Sequence, residues 1–128
     1  MAGRRRFIPW GPAVAYAALI FLLSSLEGSQ TPRFFPHSDK ALHLLLYLPF
    51  GFLVLRALLT GQAQGRLAAL RTALFVVSLY ALTDEFHQLF VPGRTFSLWD
   101  WGADIIGAAA GIWLCYYGKN RSLSKPSL

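Results

Sequence analysis

The sequence predicts an all-α membrane protein, a bundle of four transmembrane helices with both termini in the cytoplasm. Three observations predict it. Hydrophobic residues make up 55% of the 128 positions and charged residues only 14%. The apolar residues fall into four runs, and the basic residues gather on one side of those runs. A soluble domain of this size has too little interior to hide so much apolar surface, so a bilayer is the simpler solvent. The net charge of +6 would suit a nucleic-acid binder. The basic residues lie between apolar segments, however, and form no stripe, so no nucleic-acid partner is expected.

The spans run over about 8–25, 41–59, 67–90 and 101–117. Each approaches the ~20 residues that a helix rising ~1.5 Å per residue needs to cross a hydrocarbon core. Four such runs cannot close a barrel, so they must be helices. Arg4, Arg5 and Arg6 ahead of the first span also resemble the start of a secretory signal peptide. Ser24-Ser25-Leu26-Glu27 lacks a small-x-small cleavage site, which favours an uncleaved helix. Pro49 removes a backbone bond to Leu45 and predicts a kink in the second helix. In the third, the apolar pattern continues past Thr83 through Leu89, Phe90 and Val91. The 61–65 connection, Gly61-Gln62-Ala63-Gln64-Gly65, reads as a plain link between antiparallel helices. The expected organisation is a transmembrane domain over 1–118 and a disordered cytoplasmic tail over 119–128. The single cysteine, Cys115, excludes an intramolecular disulfide and reads as a small buried or lipid-facing side chain.

Nine of the twelve basic residues (Arg4, Arg5, Arg6, Arg56, Arg66, Arg71, Lys119, Arg121, Lys125) fall on the side holding the termini. Arg33, Lys40 and Arg94 fall on the other. The positive-inside rule then puts both termini in the cytoplasm, in a cytoplasmic (inner) membrane. Trp10, Trp113, Tyr116 and Tyr117 suit the inner interface, and Trp99 and Trp101 the outer one. All six acidic residues map to the outer side. Acidic residues count little in the rule, so their segregation needs another cause.

Depth supplies one. With Arg71 at the inner interface, Asp84 lies thirteen residues on, about 20 Å into a ~30 Å core. Asp84, Glu85, His87 and Gln88 then sit in the outer leaflet, with His43 and Asp104 about one turn inside their own spans. A carboxylate at mid-membrane costs roughly 2.5–3.5 kcal/mol and marks a functional site by default. The competing reading is that Asp84 and Glu85 merely end the third helix among headgroups.

Helical spacing groups these residues. His43, Tyr47 and Gly51 share one face of the second helix, with Asp39 one turn above His43 and able to orient its ring. On the third helix Asp84 and Gln88 are i, i+4. On the fourth, Asp100, Asp104, Gly107 and Gly111 share a face, and Gly107 and Gly111 read as packing residues that let another helix approach. Between the last two spans Pro92-Gly93 suits a tight turn, and Ser97 or Asp100 can cap the fourth helix. Arg94 is placed for Asp84, Glu85 or an anionic ligand, its planar fork suiting carboxylate or phosphate. An internal salt bridge is the alternative role for it.

Asp39-Lys40-x-x-His43-x-x-x-Tyr47-x-x-x-Gly51, Asp84-Glu85-x-x-Gln88 and Pro92-Gly93-Arg94-x-x-Ser97-x-x-Asp100, with Gly107 and Gly111 beyond, together resemble the VanZ-like family of bacterial membrane proteins. Order, spacing and hydropathy agree over roughly Asp39 to Gly111. Asp104 departs from the pattern, which commonly carries Asn there, and His87 ranks below His43 because the family pattern varies at it. The resemblance implies a multi-spanning helical protein, and the family's namesake is linked to low-level resistance to the lipid-anchored glycopeptide teicoplanin.

The leading expectation is a cell-envelope protein whose outward-facing pocket binds or modifies a lipid-linked or amphiphilic envelope molecule. His43, Asp84, Glu85 and Asp100 are the candidate catalytic residues, with imidazole suited to moving a proton near neutrality. Lys40, Tyr47, Gln88, Arg94, Ser97 and Asp104 are the candidate binding residues. No nucleophilic-serine or zinc-helix motif is present, so the reaction type stays open, as does catalysis itself. The carboxylates and His43 could hold Mg²⁺, Mn²⁺ or Zn²⁺, and spacing does not choose among them or establish any cofactor. Membrane lipids or a lipid-linked precursor are the expected partners, with self-association open. The alternatives are a non-catalytic lipid or antibiotic binder and a structural membrane subunit; a proton-coupled transporter fits less well, since no ionisable relay continues toward the cytoplasm.

Overall fold

Proline, glycine and serine set the helix ends in the computed structural model, which describes residues 8–61 and 65–123. A 3₁₀ turn at Ile8–Trp10 leads into α1, Gly11–Ser24, which has Pro12 in its first turn, where a missing N–H costs nothing. α2 spans Ser38–Gly61 and runs through Pro49 without a break. α3, Arg66–Gln88, stops before Pro92, which lacks an N–H and holds its neighbour out of helical geometry. α4, Leu98–Leu123, begins at Ser97, whose Oγ accepts the Asp100 N–H at 3.2 Å. Among the described residues there is no strand.

Two boundaries differ from the sequence expectation. The third helix ends at Gln88, and Leu89, Phe90 and Val91 continue as single turns closed on the Phe86, His87 and Gln88 carbonyls. Apolar character there does not mark helix. α4 runs on to Leu123, so 119–123 are helical where a disordered tail was expected. Arg4, Arg5, Arg6, Lys125, the Gln62–Gln64 connection and 124–128 lie outside the described residues.

By length and hydropathy two helices suffice to cross a membrane, Ser38–Thr60 and Arg66–Gln88. α1 is apolar but only 14 residues long. α4 is longer but carries Asp100 and Asp104 in its first two turns. All four helices turn large apolar side chains outward: Val14, Leu45, Phe75, Ile106 and Trp113 are each more than half exposed. A chain of this size in water would not leave such a surface on every helix.

The inside is organised around α2 and α4. A Cβ on Gly107 would collide with the Leu44 backbone, one on Gly111 with Leu48, and one on Gly51 with Ala108. The small-residue face of α4 therefore has α2 as its partner, with backbones in direct contact. Below the polar end, Phe50 fills the interior between Tyr16 and Tyr80, at ring separations of 6.3 and 5.1 Å. Trp101 turns inward, its Nε1 donating to the Ser78 carbonyl at 3.1 Å, so only Trp99 of the expected outer pair stands exposed. At the same end Gly93, at φ +74°, packs on Gly28, and the Gly28 N–H bonds the Pro92 carbonyl at 3.0 Å. This ties the α1–α2 loop to the α3–α4 loop.

Candidate functional site

His43, Asp84, Glu85, Asp100 and Asp104 are all buried, and they meet where α2 and α4 begin and α3 ends. His43 lies five residues into α2, Asp104 six into α4 and Asp84 four before the end of α3. At ~1.5 Å per residue these offsets put the three at similar depths, about 6–9 Å inside the helix ends. His43 Nδ1 donates to Asp104 Oδ1 at 2.8 Å and stands 3.9 Å from Glu85 Oε1. Glu85 Oε2 accepts the Ser97 N–H at 3.1 Å. Asp84 Oδ2 accepts two hydroxyls, Ser24 at 2.8 Å and Tyr47 at 3.1 Å.

Three oxygens in this cluster meet no donor from the protein: Asp84 Oδ1, Glu85 Oε1 and Asp104 Oδ2. Stranding a buried polar atom costs about 1–3 kcal/mol, and more when charged. Buried polar groups in folded proteins are nearly always paired, so these three oxygens call for a partner from outside the described residues, a water, a proton or an ion. The ligand-capable atoms of His43, Glu85 and Asp104 all lie within 4.8 Å of one another.

Nearer the surface Lys40 Nζ bridges Asp100 at 3.1 Å and Asp39 at 3.2 Å. Two cavities open beside the cluster. One, of about 250 Å³, is walled by Leu23, Leu26, Pro32, Leu42 and Leu46, with Ser24, His43 and Gln88 in its wall. The other, of about 390 Å³, is polar, lined by Arg33, Ser38, Thr95 and Asp100 among others. Thr31, Asp39, Gln88 and Arg94 line both, so the two adjoin. Ser24 and His43 thus have one side on a cavity and the other on the buried carboxylates.

Residues 10–119 match the VanZ/LLP1 family. The chain belongs to that family. Comparisons with curated proteins and with solved structures found no match.

In this VanZ/LLP1 protein several pairings differ from those the spacing suggested. The His43 partner is Asp104, across the α2–α4 contact. Asp39 bonds Lys40 instead, since one turn above His43 it has already left the buried layer. Tyr47 bonds Asp84 and not His43. Arg94 makes no ion pair with Asp84 or Glu85; its Nε donates to the Leu26 carbonyl at 3.3 Å and its fork borders both cavities. The cation that does meet acidic side chains is Lys40. Ser97 serves through its backbone, holding Glu85 by its N–H while its hydroxyl caps α4. Gln88 is buried at the boundary of both cavities. His87 stands apart from the cluster, stacked on Phe21 and within 2.9 Å of Ser25 Oγ.

Two residues of this end were not singled out from the sequence. Ser24 entered the sequence reading only within the segment that lacks a cleavage site; its burial against Asp84 was the missing information. Arg33 counted only as one outer basic residue, though it lines the polar cavity. Its company with Arg94 and Lys40, the only other basic residues on that side of the spans, was the signal available.

Proposed function

We propose that this VanZ/LLP1 protein is a multi-pass protein of the cytoplasmic membrane, its four helices spanning the bilayer and both termini in the cytoplasm. Its outward end binds an anionic amphiphile of the cell envelope, a molecule with an acyl chain and a phosphate or carboxylate headgroup. The observation that carries the reading is the pair of adjoining cavities, one apolar and one polar, both lined by Arg94. An acyl chain suits the leucine-walled cavity. A headgroup suits Arg33 and Arg94, whose terminal nitrogens are left for a bidentate anion while Arg94 Nε holds Leu26. The apolar outer surface of all four helices and the basic excess at the opposite end support the orientation. Family membership links the chain to teicoplanin resistance, and teicoplanin is itself lipid-anchored and amphiphilic.

His43 is the group suited to act on a bound molecule, because it borders the apolar cavity and is backed by Asp104 and Glu85. A proton taken up on the cavity side of the ring can be balanced by the carboxylates behind it. Asp84, Asp100, Tyr47 and Gln88 then hold the cluster and the headgroup layer in place.

The test is mass spectrometry of protein purified with, and then incubated with, an envelope lipid extract. Stoichiometric recovery of an anionic amphiphile, reduced roughly tenfold in Arg94→Ala, is expected; each 1.4 kcal/mol of lost interaction corresponds to that factor. Products that vanish in His43→Ala and Glu85→Gln while binding persists would make the protein an enzyme. Binding without products would make it a carrier or sequestering protein. Recovery of neutral lipids only, or an Arg94→Ala variant indistinguishable from the parent, refutes the reading.

A further inference from the structure

We propose that His43, Glu85 and Asp104 form a binding site for one divalent transition-metal ion, with Zn²⁺ or Mn²⁺ as the ions of matching chemistry. The donors are one imidazole nitrogen and two carboxylates from three different helices, drawn together within 4.8 Å. One nitrogen with two carboxylate oxygens is a donor set that borderline first-row ions accept, whereas Mg²⁺ favours oxygen alone.

Two independent features point to an ion and not merely to a polar core. Glu85 and Asp104 are fully buried, yet Glu85 Oε1 and Asp104 Oδ2 have no donor from the protein. Glu85 Oε1 faces the same ring nitrogen, Nδ1, that bonds Asp104, at 3.9 Å. A single proton on Nδ1 can serve one of these carboxylates, and it serves Asp104. A dication between them engages both, and the ring proton moves to Nε2. The outer supports are also present. Ser97 N–H fixes the second Glu85 oxygen, and the Gly107 contact with Leu44 sets the approach of α2 to α4 on which the His43–Asp104 distance depends. Such second contacts orient metal ligands and tune affinity. His43 lines a cavity, so the cluster is not closed off on the side of its imidazole.

The site goes beyond the amphiphile-binding reading and does not depend on it, because Arg94 and Arg33 take no part in it. Tag-free protein is purified in detergent, stripped with a chelator and titrated with Zn²⁺ alone and with Mn²⁺ alone. Co²⁺ serves as a spectroscopic stand-in for Zn²⁺. One ion per chain is expected, with a Co²⁺ visible spectrum of mixed nitrogen and oxygen ligation. Affinity should fall as pH is lowered, because protons compete for the same lone pairs. Glu85→Gln, Asp104→Asn and His43→Ala should each weaken binding on the order of 100-fold. Glu27→Gln and His37→Ala, outside the cluster, should leave it unchanged. Arg94→Ala should leave metal affinity within about threefold, so failure of the amphiphile reading and failure of this one are separable. Should the cluster variants not fold, the parent's stoichiometry and Co²⁺ spectrum still decide. No stoichiometric uptake by the parent, or cluster variants that bind like it, overturns the proposal and leaves the carboxylates compensated by protons.

Discussion

Replacing Gly107 by alanine is expected to damage both the fold and the buried cluster through one displacement. A Cβ at Gly107 would overlap the Leu44 carbonyl of α2, whose backbone leaves no room for it. A carbonyl inside a helix cannot rotate away as a side-chain tip can, so α2 must retreat. Restoring the ~3.5 Å separation at which nonbonded atoms attract needs a shift of about 1.4 Å. His43 is the residue next to Leu44, and its 2.8 Å bond to Asp104 would lengthen by a similar amount, past hydrogen-bond range. Overpacking costs about 1–3 kcal/mol, and losing a bond to a charged partner about 1.5–3 kcal/mol. The expected destabilisation is therefore roughly 2–5 kcal/mol, with part of each cost relieved by the same movement. Reversible unfolding in detergent, followed by tryptophan fluorescence, measures it. Gly102→Ala on the same helix is the control, because a Cβ there meets nothing within 4 Å, and it should stay within about 0.5 kcal/mol of the parent. Equal stability for Gly107→Ala and Gly102→Ala would refute the backbone-to-backbone packing of α2 on α4.

Two more outcomes follow from the same geometry. Ser24→Ala and Tyr47→Phe each remove one of the two hydroxyls on Asp84 Oδ2, and each should cost about 1–3 kcal/mol. The double variant should cost more than the sum, since it strands the carboxylate; unfolding curves of both singles superimposing on the parent's would count against the cluster. For sidedness, Thr95→Cys and Gly65→Cys are placed in a Cys115→Ser background, both positions being exposed at opposite ends of the bundle. A membrane-impermeant maleimide should label Thr95→Cys in intact cells and Gly65→Cys only after permeabilisation, and the reverse pattern refutes the proposed orientation.

Much of the architecture was legible because its causes are local. Hydrophobic runs gave the number and order of the helices, and Ser97, Pro92 and Gly93 marked the turn between the last two. The i, i+4 spacing put His43 and Tyr47 on one face of α2, and Gly107 and Gly111 on one face of α4. Where a local rule had two causes, reading failed. Leu89, Phe90 and Val91 are apolar without being helical, because a turn can carry apolar residues as well as a helix can. The polar character of 119–128 likewise hid the fact that α4 continues to Leu123.

The sequence by itself determined which groups each helix brings to the polar end and at what depth, since helix rise converts residue number directly into distance. It could not determine who bonds whom. Asp39, one turn away, was the residue in helical reach of His43, and Arg94 was placed equally for an anionic ligand or for Asp84 and Glu85. Only the tertiary structure decided these pairings, because they depend on the rotation and offset of one helix against another. Here glycine-to-backbone contacts between α2 and α4 set that offset, giving Asp104 to His43 and Asp100 to Lys40, while Arg94 is held by the Leu26 carbonyl between the first two helices.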